Sequence, residues 1–288
     1  MDLSEFGFPV SAHTSTPENK ANGLSATDLA QYAEQGFIAG KDRLSSDVVD
    51  GLLEDLAWLM LAGHEGEQFW HEYHANESIS DEKVLFHALG AWRISERFHD
   101  LLWEPAVTVT ACQLLGADVR FWHDQLFCKP PHEGGGVAWH QDFSYWTRTK
   151  PMAHLTCWVA LEDATVDNGC VHYIPGSHRW DLLPITGLAG DMNAIKETLS
   201  ERQFEALDNP IPMELKKGEM VFHHPLVVHG SFGNQSNQKR PAAVINMIAD
   251  GVMSNSNLPL LDGIPVIEKG NQLKGRFFPL LRKLSTAP

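Results

Sequence analysis

The sequence predicts an α+β protein with helices in its first part and a roll of antiparallel strands behind them. Three observations predict it. Between about residues 25 and 115, apolar residues recur at helical spacing. From about residue 119 the chain breaks into short runs rich in β-branched and aromatic residues. Turn signals separate these runs: Pro130-Pro131, Gly134-Gly135-Gly136, Asp167-Asn168-Gly169, Pro175-Gly176, Lys217-Gly218 and Gly233-Asn234. Such strands close into a double-sheet roll or jelly roll, and rolls of this type carry sites inside the mouth.

Residues 1–24 are polar and rich in turn formers, which predicts an irregular arm before a single domain over 25–288. Ser25-Ala26-Thr27-Asp28 has the form of a capping box and opens a helix that Gly36-Phe37 ends. Ser46 is the expected cap of a second helix, with Val49, Leu52, Leu53, Leu56, Leu59 and Met60 on its packing face. His64, His71 and His74 gather no further ligand types and read as a polar surface segment. A third helix is expected over about 84–103, stopping before Pro105, and a fourth over 105–115, stopping at Gly116. The strands are expected at Val119–Cys128, Ala153–Glu162, Cys170–Ile174, Glu219–Phe222, Val227–Ser231 and Ala242–Ile248, within a core of about 119–250. Residues 190–207 read as a helical insertion, ended by Pro210 and Pro212, and a candidate lid or dimer contact.

Length and composition set limits. The chain has 288 residues, 43% of them apolar, enough to bury a full core without disulfides. A formal net charge of −15 repels phosphate backbones and anionic membrane surfaces, so neither nucleic acid nor membrane is an expected partner. Cys112, Cys128, Cys157 and Cys170 form no C-x-x-C pair and read as reduced core thiols. The N-terminus lacks a basic region followed by an apolar stretch, and the expectation is a soluble cytoplasmic protein.

The chemistry begins at Trp139-His140-Gln141-Asp142. On a strand, the period of two would put His140 and Asp142 on one face. One H-x-D in a chain this rich in histidine is about what chance supplies, so the tripeptide alone discriminates nothing. His229 lies downstream at the end of an apolar run, where by itself it reads as a core histidine. Two histidines and one carboxylate make the facial triad of a non-haem iron site, with three cis positions left open. Arg240 follows His229 after a turn-rich loop, so a returning strand would bring it beside the site. A planar, permanently charged guanidinium suits the far carboxylate of a dicarboxylic cosubstrate.

His140-x-Asp142, His229-Gly230-Ser231 and Arg240, with Asn168-Gly169-Cys170 and Ile174-Pro175-Gly176-Ser177-His178 between them, resemble the phytanoyl-CoA dioxygenase family. The likeness runs from about Thr27 to Ile248 and is densest from Lys129-Pro130-Pro131 to Arg240. It implies a double-stranded β-helix, a jelly-roll and cupin-like core. It implies iron(II) on His140, Asp142 and His229, and 2-oxoglutarate held at its distal carboxylate by Arg240 and Ser231. Trp158 matches a position lining the cosubstrate pocket, and Gln125 falls where the family places a cosubstrate contact of variable residue type. The implied reaction uses O2 and releases succinate and CO2. Some relatives carry Ala or Gly in place of the carboxylate and bind halide there; Asp142 implies hydroxylation or a related oxidation instead.

Phe143, Tyr145 and Trp146 are candidate walls of a substrate pocket, and packing under a lid accounts for them equally. The substrate reads as a small metabolite. Net acidity disfavours a CoA thioester, for which Arg148, Lys150, Lys216 and Lys217 would have to supply a basic patch. Two other readings stay open: a barrel that binds a ligand without turnover, and a cupin-like metalloenzyme of other chemistry. Loss of a ligand or of Arg240 would favour the first, and none is lost; the second typically wants more histidine ligands.

Overall fold

The computed structural model describes residues 1–11, 22–78, 82–185, 187, 189, 191–192 and 194–284. Its helices are α1 (Ala26–Gln35), α2 (Ser46–Leu59), α3 (Glu96–Leu101), α4 (Pro105–Leu115) and α5 (Glu201–Ala206). Its first seven strands are β1 (Phe37–Ala39), β2 (Glu72–His74), β3 (Phe86–Leu89), β4 (Val119–Lys129), β5 (Val137–His140), β6 (Thr149–Lys150) and β7 (His154–Ala160). The others are β8 (Val171–Tyr173), β9 (Ile211–Met213), β10 (Met220–His223), β11 (His229–Ser231), β12 (Arg240–Ala249), β13 (Met253–Ser254) and β14 (Leu280–Arg282).

A large antiparallel sheet runs β1-β10-β7-β12-β4-β3-β2, with β14 also on β4. A smaller one runs β5-β11-β8-β9. The period of two sorts each central strand of the large sheet. Ala243, Ile245 and Met247 of β12 pack with Leu155, Cys157 and Val159 of β7 under Leu52, Leu56, Phe98 and Val107 of the helices. The alternate residues Ala242, Val244 and Trp158 pack instead with Val171 and Tyr173 of the smaller sheet. Arg240 and Asn246 share that inward parity on β12, so polar side chains enter the space between the sheets in register with an apolar wall.

The predicted start of α1 holds: Ser25 Oγ accepts from Asp28 N (3.2 Å), Asp28 Oδ2 accepts from Ser25 N (2.9 Å), and Gly36 ends the helix at φ +87°. The cap of α2 is Ser45, not Ser46, which is the first helical residue. The expected helix over 84–103 is not formed. Its first part is β3, paired with β2 and β4, and only Glu96–Leu101 is α-helical. The buried carboxylate of Asp124 accepts from Gly90 N and Trp92 N, both 2.8 Å, and pins the turn between. Gly90 sits at φ +111° against the His71 backbone, where a Cβ would lie 2.9 Å from His71 N. Leu85 to Arg93 is buried throughout, so neither a two-residue nor a 3.6-residue period shows in its sequence.

The described part of 1–24 includes a 3-10 turn at Leu3–Glu5, held where Asp2 pairs with Arg93 at 2.6 Å and Val10 N donates to Asp100; residues 12–21 lie outside the described residues. His64 and His71 are buried rather than on a polar surface, and His71 Nδ1 donates to Asp262 O at 2.6 Å. The insertion at 190–207 contains a 3-10 turn, Ala194–Thr198, followed by α5; its residues 190 and 193 lie outside the described residues. Pro212 does not simply end it, for β9 follows on the edge of the smaller sheet, where a missing N–H is tolerated. Beyond residue 250 the chain contributes Val252, Leu260, Ile264, Leu273 and Phe278 to a cluster with Trp122 and Trp146. Among the described residues no helix is long and apolar enough to cross a membrane.

Candidate metal centre

Antiparallel pairing of β5 with β11 sets His140 opposite His229. Their rings are 4.2 Å apart between centroids. Asp142 is not on the strand with His140, as the period of two would have it. Strand β5 stops at His140, and Asp142 opens a 3-10 turn over Asp142–Tyr145. The turn still brings the carboxylate back: Asp142 Oδ1 is 3.4 Å from His140 Nε2 and 3.7 Å from His229 Nε2. One donor atom from each of the three residues lies within 4.8 Å of the others, and all three residues are buried.

Each imidazole is oriented by its own strand. His140 Nδ1 lies 2.8 Å from Ala138 O, and His229 Nδ1 lies 3.1 Å from Val227 O. A carbonyl can only accept, so Nδ1 carries the proton and Nε2 offers its lone pair. Burial, reinforced by His140 and His223, holds His229 well below the usual histidine range, so it stays neutral and able to ligate. Burial alone would raise Asp142. His229, His140 and His223 outweigh it and hold the carboxyl well below the usual range.

The second oxygen of Asp142 is also held. Thr156 donates to Oδ2 at 2.7 Å, and His223 Nε2 lies 3.0 Å from it. Since the carboxylate accepts, His223 carries its proton on Nε2, and its Nδ1 takes the Tyr173 hydroxyl at 2.9 Å. Asn246 lies 2.9 Å from the Thr156 hydroxyl. The result is a donor set of two imidazoles and one fixed carboxylate oxygen, which fits a divalent transition metal with open positions.

Arg240 shares the cavity with this triad and is 2% exposed. Its guanidinium carbon lies 5.3 Å from the centre of the Trp158 ring. Its Nε and Nη1 are buried without a hydrogen-bond partner among the described residues. Burial pulls its pKa down to about 10, so it remains a cation at neutral pH. Unpaired buried donors on a cation call for an anionic oxygen ligand. Ser231 lines the cavity beside it. Buried Lys129 donates to Ser231 Oγ at 2.7 Å and to Phe232 O at 2.6 Å. With that lone pair taken, the Ser231 O–H is free to donate.

The cavity holds most of the residues the sequence singles out: His140, Asp142, His229, Arg240, Ser231, Gln125, Trp158, Tyr145 and Trp146 all line it. Phe143 does not; it packs against His154, 5.4 Å between ring centres. His178 and His224 meet at a tilted angle, 5.3 Å between ring centres, and neither lines the cavity. Lys216 and Lys217 are paired with Asp163 and Asp50, and Arg148 donates to the carbonyls of Pro259 and Leu260, so these three do not form a free basic patch. Sequence reading missed Thr156 and Asn246, and nothing local in the sequence ties His223 to Asp142. Inward parity with Trp158 on β7 is the signal that marks Thr156. It also missed that Leu260 and Leu261, from the segment clamped by Arg148, close one wall.

A model of the phytanoyl-CoA dioxygenase family matches residues 32–242. A probable phytanoyl-CoA dioxygenase of Caenorhabditis elegans is 28% identical over 170 residues, 58% of this chain and 51% of that protein. The phytanoyl-CoA dioxygenase of Arabidopsis thaliana is 36% identical over 124 residues, 43% and 42% of the two chains. The chain thus spans about half the length of these curated relatives, or less. Ectoine dioxygenase of Bordetella parapertussis is matched more fully, at 26% identity over 83% of this chain and 79% of that one. Among solved structures, the non-haem alpha-ketoglutarate-dependent carbocyclase SnoK from nogalamycin biosynthesis shares the fold at a TM-score of 0.71 and 23% identity, covering 93% of this chain and 99% of that one. EctD from S. alaskensis does so at 0.68 and 22%, covering 92% and 90%.

Proposed function

This chain belongs to the phytanoyl-CoA dioxygenase family, and from that premise we propose that it is an iron(II)- and 2-oxoglutarate-dependent dioxygenase that hydroxylates an unactivated C–H bond of a small-molecule metabolite. Residues 25–288 act as one oxygenase domain on a double-stranded β-helix. The observation that carries the reading is the pairing, in one cavity, of a two-histidine, one-carboxylate triad with a buried guanidinium whose donors lack a partner.

His140, Asp142 and His229 would hold the iron. Iron(II) there would couple oxidative decarboxylation of 2-oxoglutarate, with O2, to oxidation of the substrate. The chain's own groups do the positioning. Arg240 and Ser231 bind the distal carboxylate, one by charge and one by a hydroxyl that Lys129 turns toward the ligand. Trp158 walls the cosubstrate and Gln125 borders it. Thr156 and His223 hold Oδ2 of Asp142, and the carboxylate would take the position at which a halide could otherwise bind, which supports hydroxylation.

A small-molecule substrate is supported by the long match to a relative named for ectoine and by the absence of lysine among the described residues that line the cavity. Four buried free thiols support a reducing, cytoplasmic setting. The test is an anaerobic titration of the metal-free protein with iron(II) and 2-oxoglutarate, following the visible charge-transfer band of the chelate. A band that is lost in His140→Ala and weakened in Arg240→Ala upholds the reading. Iron binding with no band removes the cosubstrate, and no iron binding removes the centre.

A further inference from the structure

Glu72 and Arg148 are the exposed residues among those described that line the cavity of the metal triad, so its mouth lies at them. One segment of the chain is tied to both sides of that mouth. Arg148 donates through its two terminal nitrogens, Nη1 to Pro259 O and Nη2 to Leu260 O, the second at 3.2 Å. The Arg148 carbonyl in turn accepts from Asn255 N at 2.7 Å. Buried His71, the chain neighbour of Glu72, lies with Nδ1 2.6 Å from Asp262 O. A carbonyl only accepts, so that nitrogen carries the proton and donates. Asn257, Leu258, Pro259 and Asp262 are exposed, whereas Leu260 is buried and Leu261 half-buried, and these two line the cavity. A segment with an exposed outer side, two apolar side chains turned inward and side-chain clamps at Arg148 and His71 is a strap across the opening.

Strand β12 shows which end of the cavity the strap covers. Arg240 begins the strand. Asn246, further along, lies 2.9 Å from the Thr156 hydroxyl, which donates to Asp142 Oδ2. Ile248, beyond it, packs in one cluster with Leu260, Trp122 and Trp146. The triad therefore separates the guanidinium from the strap, and a cosubstrate reaching from the metal centre to Arg240 leaves the strap end free. That end is of mixed polarity: Glu72, His123 and Tyr145 line it beside Trp122 and Trp146. The strap differs from the rest of this wall in being held by side chains rather than by a strand ladder, and it lies outside residues 32–242, the span that the family model matches. Loops added to a rigid scaffold are where specificity is commonly carried.

We propose that the strap over residues 257–262 is the specificity-determining rim of the substrate site, and that Leu261 limits the cross-section of the molecule that reaches the metal centre. Selection at the rim is by shape: a bulky group at the reacting end of a molecule meets Leu261 whatever its polarity, and a compact one passes. Arg148 and His71 are positioning residues, acting through the carbonyls they hold. Without Arg148, Pro259 and Leu260 lose their fixed donors and the strap is free to move outward. The inference rests on the oxygenase reading only for calling that end the substrate end.

The test loads the protein with cobalt(II) and titrates it with two metal ligands of different bulk, imidazole and 4-phenylimidazole, following the visible cobalt bands. The quantity read is the affinity for the bulky ligand divided by that for the compact one. Leu261→Ala should raise this ratio about tenfold or more, the scale on which a pocket discriminates by a few carbon atoms. Leu261→Trp should lower it. Arg148→Ala and His71→Ala should raise it while imidazole affinity stays within about twofold of wild type, and Arg148→Lys should fall between Arg148→Ala and wild type. Leu258→Ala, on the outer side of the strap at 63% exposure, should leave it unchanged. A ratio unchanged in Leu261→Ala, or shifted as far in Leu258→Ala, would overturn the rim. Equal weakening of both ligands in Arg148→Ala and His71→Ala would overturn the clamps. In the metal-free protein, quenching of tryptophan fluorescence by succinimide reads the same opening. It should rise in Leu261→Ala and Arg148→Ala, not in Leu258→Ala, and the rise should shrink once Trp146 is replaced by Phe; no rise would again overturn the rim. If cobalt binds and the ratio shifts but 2-oxoglutarate forms no chelate with iron(II), the oxygenase reading fails and the rim stands. If no metal binds, the metal centre fails and the quenching decides the rim alone.

Discussion

His223 Nε2 lies 3.0 Å from Asp142 Oδ2, the oxygen turned away from the two ligand histidines. The contact divides the carboxylate's work: Oδ2 is held by protein, and Oδ1 is left facing His140 and His229.

Removing that hold should loosen the metal. In His223→Phe, Oδ2 keeps only Thr156, and in Thr156→Val only His223. Each variant should bind iron(II) about 10- to 100-fold more weakly, the usual cost of losing a partner behind a metal ligand. Anaerobic titration with calorimetric detection measures it. Affinity within twofold of wild type in both variants would show that Asp142 needs neither partner.

Arg240 should govern the cosubstrate and little else. A hydrogen bond to a charged group contributes about 1.5–3 kcal/mol, so Arg240→Gln should weaken 2-oxoglutarate binding about 10- to 150-fold. Iron affinity measured without 2-oxoglutarate should stay within about threefold. Arg240→Lys keeps the charge but loses the planar fork, and should fall between the two. An equal loss of iron and cosubstrate binding would mean that the guanidinium supports the fold instead.

Metal should stabilise the folded chain through the triad. At a hundred times its dissociation constant a ligand adds about 2.7 kcal/mol. Manganese(II), which avoids oxidation during the scan, should raise Tm in wild type and leave Tm unchanged in His140→Ala and His229→Ala. A shift that persists in both variants would place the ion elsewhere.

Acid should destabilise the metal-free protein well above the carboxylate range. Burial pushes His123 and His154 down to about 3. Unfolded, each titrates near the ordinary histidine value of about 6.5. Between those values the unfolded chain binds more protons, so stability falls as pH drops from about 6.5 toward 3. Asp124 works in the opposite direction, being pushed up to about 6 by burial, but it is one group against two. Urea midpoints at pH 7.5 and pH 5 should differ by on the order of 1 kcal/mol or more in stability. Replacing His154 with Gln should flatten the dependence. A pH-independent midpoint would show that these imidazoles titrate when folded.

The arm and the third helix mark the limits of local pattern. Ser25 to Asp28 is legible because a capping box closes within four residues and needs nothing from elsewhere. Segment 84–103 is not, because what makes Phe86–Leu89 a strand is an edge of β4 that arrives later in the chain, and what turns it at Gly90 is a carboxylate from Asp124.

By itself the sequence determined where α1 starts and ends, the strands β4, β7, β8, β10, β11 and β12, the residue types of the centre, and the spacing that lets His229 and Arg240 meet His140 and Asp142. These are set by covalent neighbours: caps, alternation and turn residues act over a few positions. Only the tertiary structure decided that Asp142 leaves the strand and returns through a 3-10 turn, and that Thr156 and His223 hold its far oxygen. Those facts depend on which strands become neighbours. A partner 81 positions away, as His223 is from Asp142, leaves no local periodicity to read.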